Sequence, residues 1–265
     1  MIELDGVEVL FNAGTVNEVR ALRGVDLVLA DGEFVTVVGS NGAGKSTLLN
    51  AVAGVVLPEA GRVRIAGRDV TGWPEHRRAG LIGRVFQNPL DGTAATMTLE
   101  ENLALALRRG RTRGLRLGVG ERERRGFADV LEPLGMGLEG RLKSVVGLLS
   151  GGQRQALTLL MATLARPRVL LLDEHTAALD PGAAAEIEAL TARLVEEQGL
   201  TTLMVTHNMQ QALRLGARTI MLHAGEVALD VGGEDRRGMS VESLVRRFQR
   251  ARKQELVDDE LLLAH

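Results

Sequence analysis

The segment GSNGAGKS, residues 39–46, constrains the fold of this chain more than any other feature of the sequence. It fits the pattern G-x-x-x-x-G-K-[ST], follows the apolar run FVTVVG, and precedes leucines and valines at helical spacing. A glycine loop between a strand and a helix directs backbone N–H groups at phosphate oxygens, where the helix dipole favours negative charge. Lys45 adds a compact ammonium for the terminal phosphates, and the Ser46 hydroxyl can bind Mg²⁺. The sequence therefore predicts a nucleotide-phosphate loop at the end of a buried strand.

Short apolar runs alternate with helical patterns along most of the chain. Strands are predicted in the alternating segment 1–30 and in the runs 34–39, 62–65, 83–86, 169–172, 203–206 and 219–222. Helices are predicted over 45–56 and 183–197. Apolar strands separated by helices are typical of an α/β fold with a largely parallel sheet covered on both faces.

The middle of the chain departs from this alternation. Residues 91–149 show helical patterns, notably over 100–107 and 127–134, but no convincing strand. We expect an inserted helical subdomain over 91–149, with the nucleotide-binding core formed by 1–90 and 150–230. The segment 108–125 holds eight arginines and two glutamates, which favours a solvated loop, with contact to anionic lipid or a partner as the alternative. Residues 231–265 are expected to form a C-terminal helix and a tail.

Composition excludes several classes of function. The net charge of −2 argues against a nucleic-acid-binding coat protein, so no nucleic-acid partner is expected. The absence of cysteine excludes disulfides, thiolate metal sites and a catalytic thiol. The sequence has neither a secretory signal pattern nor the ~18 consecutive apolar residues that span a bilayer. We therefore expect a soluble, cytoplasmic chain.

Two acidic residues follow the apolar run VLLL at residues 169–172. Asp173 stands where a strand is predicted to end, at the sheet edge that also carries the phosphate loop. A carboxylate in that position suits a magnesium ligand. The next residue, Glu174, could hold and polarise an attacking water.

A second glycine-rich helix start occurs at residues 149–153, which read LSGGQ. It has the form of another anion-binding helix start, but the chain holds a single lysine-bearing phosphate loop. One nucleotide does not need two such starts from one chain. The simplest interpretation is that this loop serves a nucleotide bound to another subunit.

Together these motifs resemble the ATP-binding cassette (ABC) ATPase family, over about residues 2–230. LSGGQ is similar to the family signature, and Gln87 in VFQNP matches its Q-loop. Asp180 in ALD matches the D-loop, and His207 matches the switch histidine after a strand. The resemblance implies a P-loop NTPase (RecA-like) core with a mostly parallel sheet, an N-terminal antiparallel β subdomain and the inserted helical subdomain.

The resemblance also implies ATP and Mg²⁺ as ligands and assigns roles to residues. The implied catalytic residues are Lys45, Gln87, Glu174 and His207. The implied magnesium ligands are Ser46, Gln87 and Asp173. The implied nucleotide-binding residues are Phe11, Ser40, Asn41, Gly42, Ala43, Gly44, Lys45, Ser46, Thr47, Ser150, Gly151, Gly152, Gln153 and Asp180. Phe11 is the best match to the aromatic that stacks on adenine, with a plain strand-core phenylalanine as the alternative.

The partners implied by the resemblance are other proteins. The family forms head-to-tail dimers over two ATP molecules, here a homodimer or a pair with a related ATPase subunit. A separate transmembrane permease would hold the chain at the cytoplasmic face of the inner membrane, with an extracytoplasmic binding protein in an importer. Residues 206–209 and 225–230 are most similar to importer subunits paired with permeases of the branched-chain amino-acid type. The alternative is a soluble ABC ATPase, such as one acting in iron–sulfur assembly.

One residue departs from the family pattern. His175 follows Asp173 and Glu174, where the family usually has proline. Histidine loosens the backbone restriction that proline imposes and adds a titratable group near the site. We interpret it as tolerated variation and assign it no catalytic role.

Overall fold

The computed structural model describes residues 1–110 and 118–250, which fall into two compact units. The first unit comprises Met1–Gly72 and the chain from Leu203 onward, and the second comprises Trp73–Thr202. The centre of the arginine-rich segment, 111–117, and the predicted tail beyond residue 250 lie outside the described residues. The predicted boundaries of the helical subdomain, at 91 and 149, stay a prediction.

The elements alternate between strand and helix, as the sequence predicts. The strands are β1 (Ile2–Phe11), β2 (Val19–Leu29), β3 (Phe34–Gly39), β4 (Ala60–Ile65), β5 (Arg68–Asp69), β6 (Ile82–Val85), β7 (Val169–Asp173), β8 (Thr201–Val205), β9 (Arg218–His223) and β10 (Glu226–Val231). The α-helices are α1 (Lys45–Ala53), α2 (Glu75–Arg78), α3 (Leu99–Leu107), α4 (Glu121–Leu131), α5 (Gly151–Thr163), α6 (Pro181–Gln198) and α7 (Met209–Leu215). Residues 241–250 are also helical. Short 3₁₀ turns lie at Glu132–Leu134, Glu139–Arg141, Val146–Leu148 and Gly233–Arg236.

The first unit begins with an antiparallel sheet in the order β2-β1-β4-β5. β1 pairs antiparallel with both β2 and β4, and its apolar side chains alternate toward the interior. This confirms the predicted N-terminal antiparallel sheet. The short strand β5 was not predicted, because two exposed residues carry no hydrophobic pattern.

The first unit also carries the phosphate loop at the end of β3. β3 is buried along its length and pairs in parallel with β9, while β10 pairs antiparallel with β9 at the edge. On the other side β3 neighbours β8, and the backbone N–H of Thr206 donates to the carbonyl of Val37 at 3.1 Å. The chain segments after β3 and β8 therefore leave the sheet side by side.

The second unit combines a parallel strand pair with a helical layer. β6 and β7 pair in parallel, from Ile82 opposite Val169 to Val85 opposite Leu172. Helices α3, α4 and α5 share a buried core that includes Leu103, Phe127 and Leu157. Between 91 and 149 the described residues form no strand, only an isolated bridge, which confirms the helical character of this stretch.

Helices α1 and α4 differ clearly in extent from the sequence-based prediction. α1 ends at Ala53 rather than at residue 56, because Gly54 takes a left-handed conformation and its N–H closes on the carbonyl of Asn50. α4 begins at Glu121 rather than at 127, where the Glu123 carboxylate accepts the Gly120 N–H at 3.0 Å. Within the described ranges, no helix has the length and apolar character needed to cross a membrane.

Candidate active site

The phosphate loop takes a shape that only glycine permits at two of its positions. Gly39 has φ 154°, and a Cβ there would lie 2.4 Å from the carbonyl oxygen of Leu222. Gly44 has φ 100°, and a Cβ there would lie 2.5 Å from the carbonyl oxygen of Ala21. A side chain at either position would meet backbone rather than a flexible group, so the loop shape depends on these glycines.

Lys45 is the first residue of α1 and is 7% exposed. Its Nζ donates to the carbonyl oxygens of Gly39 at 3.0 Å and Ser40 at 2.9 Å. An ammonium has three N–H donors, so these two bonds fix its position and leave a third proton for a phosphate oxygen. Among the described residues no side chain caps α1, and its first N–H groups are available to an anion.

The other loop residues expected to contact nucleotide lie around this cradle. Ser40, Asn41, Gly42 and Ser46 are exposed, Thr47 is half-buried, and Ala43 is buried against the fold. The Gly225 N–H donates to the Ala43 carbonyl at 3.1 Å, and the Gly225 carbonyl accepts from the Arg23 N–H at 3.0 Å. Backbone bonds through one glycine therefore join the phosphate loop to β2 of the antiparallel sheet.

Phe11 is the last residue of β1 and is 38% exposed. A strand-core phenylalanine would be buried, so the alternative role for Phe11 is wrong. The ring is available to a ligand at the end of the antiparallel sheet. Its stacking on adenine stays a prediction.

His207 is exposed on the turn that follows β8. Hydrogen bonds of its neighbours fix that turn: the Thr206 hydroxyl donates to the side-chain oxygen of Gln211 at 2.5 Å and accepts the Asn208 N–H at 3.0 Å. Because Thr206 also bonds β3, the histidine leaves the sheet beside the strand that carries the phosphate loop.

In the second unit the structure brings together Gln87 and Glu174, which the sequence separates by 87 residues. They follow the parallel strands β6 and β7, and Gln87 Nε2 donates to Glu174 Oε2 at 3.2 Å. The amide thus presents its NH₂ to the carboxylate, which leaves its oxygen Oε1 as an acceptor or ligand. Glu174 has φ 43°, an uncommon conformation for a residue other than glycine.

Asp173 has a neighbour that the sequence did not indicate. Arg84 Nη2 lies 3.6 Å from Asp173 Oδ2, and both side chains are mostly buried. The same guanidinium lies over the Phe86 ring, 4.7 Å from its centroid. The pairing follows from the register of β6 and β7, so no local sequence pattern could have revealed it.

The predicted magnesium ligands have suitable chemistry, taken one unit at a time. Gln87 and Asp173 of the second unit offer an amide carbonyl and a carboxylate, and Ser46 of the first unit offers a hydroxyl; these are oxygen ligands of the kind that Mg²⁺ prefers. In the described part of the chain, no group of three His, Cys, Asp or Glu residues could hold a metal by itself. An ion that takes its remaining oxygens from phosphates and water matches this sparse set.

The signature loop satisfies its own hydrogen bonds. Ser150 is the N-cap of α5: its hydroxyl accepts the Gln153 N–H at 3.2 Å, and the Gln153 side chain accepts the Ser150 N–H at 3.2 Å. Arg154 Nη2 donates to the carbonyls of Gly147 and Leu149, each at 3.1 Å. The loop is thus held in one shape, with Ser150 and Gly151 exposed and Gly152 half-buried.

Asp180 also caps a helix. Its Oδ1 accepts the backbone N–H groups of Gly182 at 3.1 Å and Ala183 at 3.0 Å at the start of α6. These two bonds explain why an acidic residue is favoured at position 180 even when no ligand is bound there. The nucleotide contact expected for Asp180 stays a prediction.

His175 is 1% exposed, directly after Glu174. Its Nε2 lies 3.0 Å from the Thr191 hydroxyl, and Nδ1 has no hydrogen-bond partner among the described residues. Burial lowers the pKa of the imidazole to about 4, so the ring is neutral near pH 7. The titratable group expected near the site therefore does not charge under ordinary conditions.

Comparison with known proteins decides the family. The family model described as ABC transporter matches residues 22–177, more than half of the chain. The chain belongs to the ABC transporter family. A tyrosine transport ATP-binding protein of Clostridioides difficile is 45% identical to this ABC subunit, over 84% of this chain and 88% of its own length. A lipoprotein-releasing system ATP-binding protein of Ruegeria pomeroyi is 37% identical, over 86% of this chain and 97% of its own.

Solved structures agree with this assignment. A dimeric ATP-binding cassette in a post-hydrolysis state, bound to ADP and Pi, superposes on the ABC subunit with a TM-score of 0.75 and 31% identity. The match covers 88% of this chain and 98% of the cassette. The predicted P-loop NTPase fold is confirmed. The chain is the ATP-binding and ATP-hydrolysing subunit of an ABC transporter, and the iron–sulfur assembly alternative receives no support.

Proposed function

We propose that this ATPase subunit drives a separate transmembrane permease by closing head-to-tail with a second ATPase subunit over two ATP molecules. The hydrogen bond between Gln87 and Glu174 carries the hydrolytic part of the proposal. It joins an amide and a carboxylate at the carboxyl ends of paired parallel strands, where a water and a phosphate can be held together.

The residues of the chain divide the work of hydrolysis. Lys45 and the loop N–H groups bind the β- and γ-phosphates and offset their charge. Glu174 accepts a proton from the attacking water. As it does so, the water oxygen bonds to the γ-phosphorus, and the bond between the γ-phosphorus and the leaving ADP oxygen breaks. Gln87 orients the water, and His207 binds the γ-phosphate.

Ser46, Gln87 and Asp173 hold magnesium in this proposal. When bound, Mg²⁺ would supply positive charge that offsets the charge developing on the phosphate oxygens. Arg84, whose Nη2 lies 3.6 Å from Asp173 Oδ2, helps to hold that carboxylate in place. Phe11 stacks on the adenine ring, and Ser150 to Gln153 of one subunit contact the nucleotide of the other.

The test of the hydrolytic roles is Glu174→Gln. Glutamine keeps the shape but cannot accept the proton, so turnover should fall by about 10²–10⁴-fold while Mg-ATP binding persists. The variant should accumulate as a dimer in size-exclusion chromatography with Mg-ATP. Glu197→Gln, an exposed carboxylate on α6, is the matched control and should hydrolyse ATP normally. Near wild-type hydrolysis by Glu174→Gln would remove Glu174 as the base.

The residues that would select the transported molecule belong to other chains, the permease among them. The relative with 45% identity is named for tyrosine transport, which favours import of an amino acid, with the subunit bound through its permease at the cytoplasmic face of the inner membrane. Purification from detergent-solubilised membranes should recover a permease, and an importer system also contains an extracytoplasmic binding protein. Loss of labelled tyrosine uptake on deletion of the gene would support this substrate, and unchanged uptake would reject it.

A further inference from the structure

The buried His175 connects the turn that carries Glu174 to the middle of α6. Its only hydrogen bond within the described residues joins Nε2 to the hydroxyl of Thr191, 16 residues further along the chain, at 3.0 Å. Thr191 is 0% exposed. The bond therefore lies entirely in the interior of the second unit and is shielded from water.

The direction of this bond follows from the neighbours of Thr191. Its hydroxyl donates its single proton to the carbonyl of Ile187, one helical turn back, at 2.7 Å. The hydroxyl oxygen must then accept from His175, which fixes the tautomer with the proton on Nε2. Nδ1 is left as a bare, buried acceptor, which an apolar side chain at this position would avoid.

The segment held by this bond is the catalytic turn. Glu174 has φ 43°, a conformation that persists in a residue other than glycine only where the surroundings hold it. Within the turn, the Ala177 N–H closes on the Glu174 carbonyl at 2.9 Å. At the far end, Asp180 fixes the start of α6. The His175–Thr191 bond ties the near end of the same short segment to α6.

We propose that His175 is a positioning residue for hydrolysis: its bond to Thr191 holds the strained turn in the conformation that aims the Glu174 carboxylate at the attacking water. The inference rests on the proposed role of Glu174 as the base. It assigns His175 no contact with nucleotide and no proton transfer. It also gives a function to the departure from proline, since an imidazole supplies through a side-chain bond the restraint that a proline ring supplies covalently.

The direct test is Thr191→Val, which keeps the size of the side chain and removes the acceptor. We expect kcat to fall by about 10-fold or more with the KM for Mg-ATP unchanged, because misplacing a reacting group acts on turnover rather than on binding. His175→Leu should lower kcat in the same way, whereas His175→Gln, which retains an N–H donor near the Nε2 position, should keep most of the wild-type turnover. Thr163→Val is the matched control, because Thr163 is a buried helical threonine that bonds its own helix carbonyls and should leave kcat unchanged.

A double variant separates positioning from stability. His175→Leu with Thr191→Val replaces both partners by apolar groups, so denaturant unfolding should return to near the wild-type midpoint. The kcat of the double variant should nevertheless stay about 10-fold low. Recovery of kcat together with stability would overturn the proposal, because the bond would then serve folding alone.

Dependence on Glu174 supplies the decisive comparison. In the Glu174→Gln background, Thr191→Val should change the residual single-turnover rate by less than about twofold, since the group that it positions is already disabled. An equal reduction in both backgrounds would overturn the positioning role. Failure of the underlying assignment looks different, because Glu174→Gln alone would then hydrolyse ATP at nearly the wild-type rate.

Discussion

The phosphate loop (residues 39–46) and the signature loop (residues 149–153) are both glycine-rich and both precede a helix. They differ in whether side chains accept hydrogen bonds from the first N–H groups of that helix. At the start of α1, Gly44 is left-handed and no described side chain caps the helix. At the start of α5, Ser150 and Gln153 cap each other, and Arg154 holds the preceding carbonyls. The phosphate loop is built to take an anion by itself. The signature loop is complete without one.

This difference explains how one chain can carry two such loops and bind one nucleotide. An uncapped helix start with an ammonium beside it attracts phosphate strongly, whereas a capped start with no lysine attracts it weakly. We therefore expect the signature loop to contribute only when a nucleotide that is already held elsewhere is brought to it. A preformed loop suits that role, because little ordering remains to oppose dimer closure.

The largest expected effect separates the two loops by nucleotide binding to the monomer. Lys45→Ala removes the buried ammonium and should weaken ATP binding by about 30- to 4,000-fold, since losing one partner of a buried charge pair costs about 2–5 kcal/mol. Ser150→Ala should leave monomer binding unchanged and lower turnover. Thr98→Ala, which removes the equivalent capping box of α3, controls for the loss of a helix cap. Isothermal titration at concentrations below dimerisation measures each dissociation constant, and weaker binding by Ser150→Ala would remove the distinction.

Mixing the two kinds of damage tests whether the signature loop acts on the partner's nucleotide. Lys45→Ala subunits combined with Ser150→Arg subunits form heterodimers with one intact composite site and one doubly damaged site. Phosphate release should rise above that of either variant alone. No rise, with heterodimers present by mass spectrometry, would mean that each chain uses its own signature loop or that both sites must fire together.

The next effect concerns the two glycines at the helix starts. Gly44→Ala places a Cβ 2.5 Å from the carbonyl of Ala21 at φ 100°, and should destabilise the fold by about 2 kcal/mol or more. Gly151→Ala places its Cβ 3.5 Å from the Leu179 side chain, an ordinary contact, and should leave stability unchanged or raise it by up to about 1 kcal/mol. Denaturant unfolding measures both. Equal losses would show that both loops depend on glycine in the same way.

A smaller effect tests whether the first unit binds the base as well as the phosphates. Phe11→Ala should weaken ATP binding by about 5- to 150-fold, because stacking on an aromatic is worth about 1–3 kcal/mol. The ring is already 38% exposed, so the fold should remain intact. An unchanged dissociation constant would leave the phosphate loop as the sole binding element of this unit.

The smallest expected effect is a loss of stability at acidic pH, which limits the pH range in which variants of the two loops can be compared. Burial lowers the pKa of His175 to about 4, while the unfolded chain has the ordinary value near 6.5. Between these values the unfolded state binds a proton that the folded state does not, so stability falls as pH drops from 6.5 toward 4. From pH 7.5 to 5.5 the free energy of unfolding should fall by about 1 kcal/mol through this group. His175→Gln should lose correspondingly less, and an identical decline in both proteins would contradict the assignment.

The sequence predicted features that depend on local pattern. β3 matches its predicted bounds, 34–39, because the apolar run and the glycine loop mark both ends. The strand ends that carry Asp173 and His207 were found for the same reason. α4 was placed too late, because its polar first turn is stabilised by a Glu123 cap rather than by apolar spacing.

Features that depend on pairing could not be predicted. β10 exists because it pairs with β9, and its half-buried residues show no clear alternation. The Arg84–Asp173 ion pair depends on the register of β6 and β7. The His175–Thr191 bond joins a residue after β7 to a residue in the middle of α6, which are close only because α6 packs beside that turn. Each is a contact between elements, which single-sequence patterns do not encode.

The two backbone hydrogen bonds of Gly225 fix the distance between the phosphate loop and the antiparallel sheet within the first unit. Gly225 bonds Ala43 of the phosphate loop on one side and Arg23 of β2 on the other, so the antiparallel sheet cannot slide past the loop without breaking both bonds. The distance from the loop to Phe11, on the adjoining strand, is therefore set by the protein before any ligand arrives. A molecule that uses both ends must match that span, and one that is too short engages a single end. Separate titrations with adenosine, inorganic triphosphate and ATP would measure the gain: binding of ATP no tighter than binding of triphosphate would show that the span is not used.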